Sequence, residues 1–145
     1  MTNKFFLSIL LTTLSLSALA ERIQMVTMGR KFTLVTPSAQ TANRPLLVVL
    51  HGCKQNPSLM LEGTQLEEEA EKGNFYLLLP EQPNYYNIDH CWNWFIGFQQ
   101  IRAKANEMGQ IISAIEILKD EYRVDADKIF VTGISAGGVM AHNLT

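Results

Sequence analysis

Gly133-Ile134-Ser135-Ala136-Gly137 combines residue type, spacing and neighbours in a way that suggests chemistry. It reads Gly-x-Ser-x-Gly. The β-branched apolar run Lys128-Ile129-Phe130-Val131-Thr132 precedes it, and a helical stretch from Ala136 to Leu144 follows. Strand, sharp turn and helix are the context a nucleophile elbow requires. Ser135 would then be the nucleophile of an acyl transfer, its hydroxyl standing at a helix N-terminus. The dipole and spare N–H groups there favour the negative charge that develops on the attacked carbonyl oxygen. The flanking glycines have a steric purpose, because the serine needs a positive φ and side chains beside it would meet neighbouring backbone. The competing reading is a glycine-rich helix N-cap of an unrelated α/β protein.

His51-Gly52-Cys53 follows an apolar strand, where this architecture offers a second oxyanion donor. The expected donors are the main-chain N–H groups of Cys53 and Ala136, with Gly52 letting the backbone come close. The two cysteines, Cys53 and Cys91, suit one bridge if the chain is exported, and the alternative is two separate thiols. Neither C-x-x-C nor H-x-x-x-H spacing occurs, so no metal site is expected. Between Tyr85 and Phe98 the chain concentrates Tyr85, Tyr86, Trp92, Trp94, Phe95 and Phe98. Trp92, Trp94 and Phe95 could wall a site for a hydrophobic or aromatic acyl group, or the cluster could be core beneath a long loop.

The elements that must position these residues can be read from periodicity. Arg22–Thr27 and Lys31–Thr36 alternate around Met28-Gly29-Arg30 and predict a β-hairpin. Pro45–Leu50, Phe75–Pro80 and Lys128–Gly133 are apolar runs of the kind buried on both faces of a parallel sheet. Pro57–Lys72 reads as one helix ending near Gly73. Glu107–Tyr122 is a second, on Ile111, Ile112, Ile115 and Leu118, and Ala136–Leu144 opens a third. The order is a hairpin followed by β-α-β-α-β-α, which calls for a mainly parallel α/β sheet with helices on both faces. Three such strands leave the sheet incomplete, and the last helix has no stop signal before Thr145, so the chain looks truncated. Glu67-Glu68-Glu69 is a solvated helix face.

Composition narrows the class. The 145 residues are 47% hydrophobic and 18% charged, enough apolar material for one packed domain. A net charge of -2, with no basic run, argues against nucleic acid as a partner. Residues 1–20 have the three parts of a secretory signal peptide: Lys4, the apolar stretch Phe5–Leu16, and Ala18-Leu19-Ala20 before a cut. The segment is short of the roughly 20 residues that span a bilayer, so no stable membrane insertion is expected after cleavage. The mature portion, 21–145, would be secreted to an extracellular or periplasmic space.

Four blocks carry a resemblance: Leu50-His51-Gly52-Cys53-Lys54-Gln55, Pro80-Glu81-Gln82, Cys91-Trp92-Asn93-Trp94-Phe95, and Val131 to Ala141. In this order they resemble the secreted esterases of the poly(3-hydroxybutyrate) depolymerase type, which include feruloyl and acetylxylan esterase-like members. The resemblance implies an α/β-hydrolase fold, with Ser135 as nucleophile and Cys53 at the oxyanion hole. It also implies hydrolysis of carboxylic esters of a polyester without a cofactor, or of feruloyl or acetyl esters on plant polysaccharide. Such relatives carry the triad acid and histidine after the nucleophile, whereas only Ala136–Thr145 follow Ser135. His142 would lie about 10 Å down the helix, and His51 is expected to shape the oxyanion loop. The chain by itself is therefore expected to be inactive, and a non-catalytic secreted hydrolase-like module is the rival from another class.

Overall fold

The computed structural model describes residues 20–39 and 41–145. Apart from Ala20, the expected signal peptide lies outside the described residues. The first pair of strands, β1 (Glu21–Thr27) and β2 (Arg30–Thr36), forms the hairpin, paired Glu21↔Thr36 through Thr27↔Arg30. Its two-residue turn is Met28-Gly29, both at positive φ (50° and 77°), the twist that tight hairpins prefer. Arg30, expected in the turn, is the first residue of β2.

Three further strands complete one sheet: β3 (Arg44–Leu50), β4 (Tyr76–Pro80) and β5 (Val124–Gly133). The order is β1-β2-β4-β3-β5. The pairs β3–β4 and β3–β5 are parallel, whereas β1–β2 and β2–β4 are antiparallel, so the hairpin extends the parallel strands into a mixed sheet. Alternate residues on the strands feed two cores. Phe32, Leu34, Leu46, Val48, Leu50 and Leu78 face one side; Val35, Val49, Leu77 and Leu79 face the other.

Helices cover both faces. The first face takes α3 (Glu107–Glu121), through Met108, Ile111, Ala114, Ile115 and Leu118, and α4 (Ala136–Leu144), through Met140, Ala141 and Leu144. On the opposite face lie α1 (Pro57–Glu62) and α2 (Leu66–Gly73). Sequence reading predicted one helix over this last stretch, and the chain makes two. Asn56 caps α1 by accepting the Leu59 N–H at 2.9 Å, and Pro57 suits the first turn. Gly63 then closes the helix by donating to the Leu59 carbonyl at 3.0 Å, and Thr64 Oγ donates to Met60 O at 2.7 Å. These bonds satisfy the carbonyls a continuing helix would have used.

β5 also departs from expectation. It is longer than the apolar run, and it is an edge strand rather than one buried on both faces. Ile129 and Val131 pack on the α3/α4 core, while Phe130 points away and is 57% exposed. No described helix is long and apolar enough to cross a membrane.

Candidate active site

Ser135 is an exposed residue in the turn between β5 and α4, at φ 54° and ψ -122°. That region is costly for a residue with a side chain and persists only where the surroundings enforce it. The enforcement comes from packing. A Cβ on Gly133 would lie 2.5 Å from the Gly137 carbonyl, and one on Gly137 would lie 2.5 Å from the His51 carbonyl oxygen and closer still to that of Leu50. β5 and α4 can therefore meet at this angle only with glycine at both positions. The Ile134 N–H donates to Leu50 O at 3.0 Å, which joins the elbow to the end of β3.

The loop after β3 runs beside the elbow. A Cβ on Gly52 would sit 3.6 Å from Ser135 Cβ, so any side chain at this position would pack directly against the serine. The Gly52 N–H donates to Gln55 Oε1 at 2.8 Å, and Gly52 O accepts from the Gln55 N–H at 3.2 Å. Gly52 O also meets His51 Nδ1 at 2.8 Å, while the Gln82 N–H donates to His51 Nε2 at 3.0 Å. A backbone N–H cannot accept, so Nε2 must be unprotonated and the ring proton sits on Nδ1, donated to Gly52 O. Carbonyl and N–H of one trans peptide point in opposite directions. With the Gly52 carbonyl held from one side, the Cys53 N–H is turned the other way. Among the described residues neither that N–H nor the N–H of Ala136 donates to any protein group. Ala136 follows Ser135 directly and Cys53 follows Gly52 on the neighbouring loop, and the backbone N–H groups of both are free of protein acceptors among the described residues.

His51 is buried, and burial holds its pKa below the ordinary imidazole value. The Gly52 carbonyl works against that, His90 and Arg30 reinforce it, and Glu81 opposes it. Both ring nitrogens are engaged, so His51 shapes the loop and is not available as a base. His90 donates through Nδ1 to Gln82 O at 2.8 Å, and His142 is exposed on α4. Among the described residues no hydrogen bond joins a histidine to Ser135.

Cys53 and Cys91 form a disulfide with Cα atoms 4.2 Å apart. It ties the loop beside Ser135 to the segment that begins Cys91-Trp92. The aromatic cluster divides. Trp92, expected in a substrate wall, is fully buried in the core and donates Nε1–H to His51 O at 2.9 Å. Its indole fills the space beneath the loop, so it cannot face a substrate. Trp94 and Phe95 are exposed and stack edge to face at 5.5 Å. The Trp94 carbonyl is held by Asn143 near the far end of α4 and by Gln100, which puts this backbone about 12 Å along the helix from Ser135.

Sequence reading missed the polar assembly under the site. Gln82 donates Nε2–H to Glu107 at 2.7 Å and to Cys91 O at 3.0 Å, and accepts from Arg30 Nη1 at 2.7 Å. The Glu107 carboxylate also accepts from the Asn93 backbone N–H at 2.9 Å and from its side-chain amide at 2.6 Å. Arg30 reaches Gln110 and the Glu81 carbonyl and lies 5.0 Å from the rings of Tyr86 and Trp92. Arg30 and Glu107 are both fully buried, and their opposite charges with these bonds offset the cost of desolvation. In sequence Arg30 looks like a turn residue and Glu107 like an ordinary first-turn acid, so no local signal marks them.

An open, mixed α/β sheet with a strained serine between a parallel strand and the next helix defines the α/β-hydrolase class. A family model described as Esterase PHB depolymerase matches residues 31–145, and the chain belongs to that family. Poly(3-hydroxyalkanoate) depolymerase C of Paucimonas lemoignei is 32% identical over 104 residues, covering 72% of this chain and 25% of that protein. Feruloyl esterase B of Thermothelomyces thermophilus is 27% identical, over 74% of this chain and 36% of its own length. Among solved structures, an acetyl xylan esterase from Aspergillus awamori superposes with a TM-score of 0.77 at 19% identity, covering 86% of this chain and 46% of that one. A poly(3-hydroxybutyrate) depolymerase from Bordetella parapertussis does so with a TM-score of 0.63 at 20% identity, again over 86% and 46%. The chain therefore spans about a quarter to a third of these curated relatives and under half of the solved domains. It shares the fold of esterases and belongs to a family of carboxylic ester hydrolases.

Proposed function

We propose that this chain carries the nucleophile and oxyanion hole of a secreted serine esterase that cleaves carboxylic esters borne by a polymer. The observation that carries this reading is Ser135 at φ 54° with the spare N–H groups of Cys53 and Ala136 beside it. Ser135 Oγ attacks the ester carbonyl carbon while its proton passes to a histidine, which the order of such hydrolases puts later in the chain than the nucleophile. The oxyanion is held by the Cys53 and Ala136 N–H groups, donors already turned to where charge develops. Collapse expels the alcohol, which takes up the proton from the histidine. Water then cleaves the acyl-enzyme by the same route and restores the serine.

The names of the relatives support a polymeric ester, either polyester or acylated polysaccharide. Export is supported by the leader-like residues 1–20 and by the bridged cysteines. The test is Ser135→Ala in protein that also carries the acid and histidine, assayed on a short p-nitrophenyl ester. Turnover should fall by about 10⁴–10⁶-fold with the circular dichroism spectrum unchanged. Retention of more than about a tenth of the activity would remove Ser135 as nucleophile and favour a non-catalytic module.

A further inference from the structure

Gln55 closes the loop beside Ser135. Gly52, Cys53, Lys54 and Gln55 form a β-turn: the Gln55 N–H donates to Gly52 O at 3.2 Å, and Lys54 in the third position has φ 60°. The turn itself uses neither N–H of its two central residues. The Lys54 N–H donates to Asp89 O at 2.7 Å, whereas the Cys53 N–H meets no acceptor among the described residues.

The Gln55 side chain folds back over this turn. Its Oε1 accepts the Gly52 N–H at 2.8 Å, and because a backbone N–H can only donate, the amide must present its oxygen here. That oxygen also fills the space a side chain on residue 52 would need. A Cβ there would meet Oε1 at 2.9 Å and Ser135 Cβ at 3.6 Å. Gln55 thus holds Gly52 from both sides, its N–H through the side chain and its carbonyl through the main chain, and His51 Nδ1 adds a second bond to that carbonyl. Having no Cβ, Gly52 is intrinsically free to rotate the peptides on either side of it. The Cys53 N–H belongs to one of those peptides, so any rotation would carry the donor away.

We infer that Gln55 is a positioning residue of the esterase site: its side-chain oxygen fixes the backbone that presents the Cys53 N–H to the oxyanion. Its own backbone is anchored immediately downstream, where Asn56 caps α1 and Pro57 begins it. In this role the amide acts through Gly52 and makes no bond to substrate. The inference rests on the esterase reading above and extends it from the two donors to the side chain that aims one of them.

The experiment compares Gln55→Met and Gln55→Glu with the wild type, in protein that also carries the acid and histidine. Methionine has nearly the length of glutamine but only a weak acceptor, whereas glutamate keeps an oxygen for the Gly52 N–H. Turnover of p-nitrophenyl acetate is expressed per serine labelled by a fluorophosphonate, so unfolded protein is not counted. Gln55→Met should lower kcat about ten- to a hundredfold and leave KM within about twofold, because the donor acts on charge that develops only after binding. Amide hydrogen exchange at Gly52 should be slow in the wild type and in Gln55→Glu, and at least about tenfold faster in Gln55→Met. The inference is overturned if kcat of Gln55→Met stays within about threefold of wild type, if the loss lies in KM alone, or if Gly52 exchange is unchanged. Failure of the esterase reading would look different, as wild-type turnover that is absent or that survives Ser135→Ala.

Discussion

His51 shows how one side chain can fix the loop beside Ser135 through hydrogen bonds alone. Its neutral Nδ1–H form holds the Gly52 carbonyl, and its Nε2 needs to remain an acceptor for the Gln82 N–H. A proton on Nε2 would face that N–H donor to donor. Because burial holds its pKa below the ordinary imidazole value, the unfolded chain, near 6.5, binds the proton first as pH falls. Stability is then fully present above about pH 6.5 and is lost as pH drops from there through the lower folded value. Denaturant midpoints measured from about pH 7.5 to about pH 5 should fall, and His51→Gln should flatten that part of the curve. An unchanged slope in the variant would mean that another group governs the acid side.

At the level of elements, the bridge between the loop after β3 and the segment before α3 is the main covalent constraint. Cys53 and Cys91 lie 38 residues apart, and closing a loop of that length restricts the unfolded chain by about 4 kcal/mol. Cys91→Ser should lower the unfolding free energy by roughly that amount, read from urea curves at matched slope. A linked Cys53–Cys91 peptide pair should appear in the mass spectrum of unreduced digests, and two alkylated thiols would contradict the bridge. The same segment carries Trp92 into the core and Asn93 onto Glu107, so the loop beside Ser135 is fixed by a disulfide, an indole and a buried carboxylate at once.

For the molecule as a whole, β5 is where the sheet stands open. Its outer edge pairs with no described strand, and Phe130 stands 57% exposed beside it. An unpaired edge with an apolar side chain is a template for association. Residues 21–145 produced alone should therefore scatter light increasingly with concentration, and Phe130→Lys should reduce that scattering. The same preparation should show no turnover dependent on Ser135, since a serine without an aligned base is a weak nucleophile. A monomeric, cooperatively melting preparation with such turnover would contradict both expectations, and His90 would be the base to examine.

The local features of this protein were legible in its sequence because local sterics fix them. Gly133 and Gly137 announced a crowded turn around Ser135, and both glycines are indeed excluded from bearing a side chain. Apolar runs and helical periodicity located β3, β4, α3 and α4, since the spacing of buried residues follows directly from element geometry. Periodicity tells which positions are buried but not what buries them. Only the tertiary structure could put Trp92 beneath the loop instead of beside a substrate, or leave Phe130 on an open edge. Only it could join Arg30 to Gln110, eighty residues away, and so make two buried charges tolerable. Most buried polar groups are satisfied by partners distant in sequence, and the proton position on His51 depends on one such partner, the Gln82 N–H, thirty-one residues along the chain.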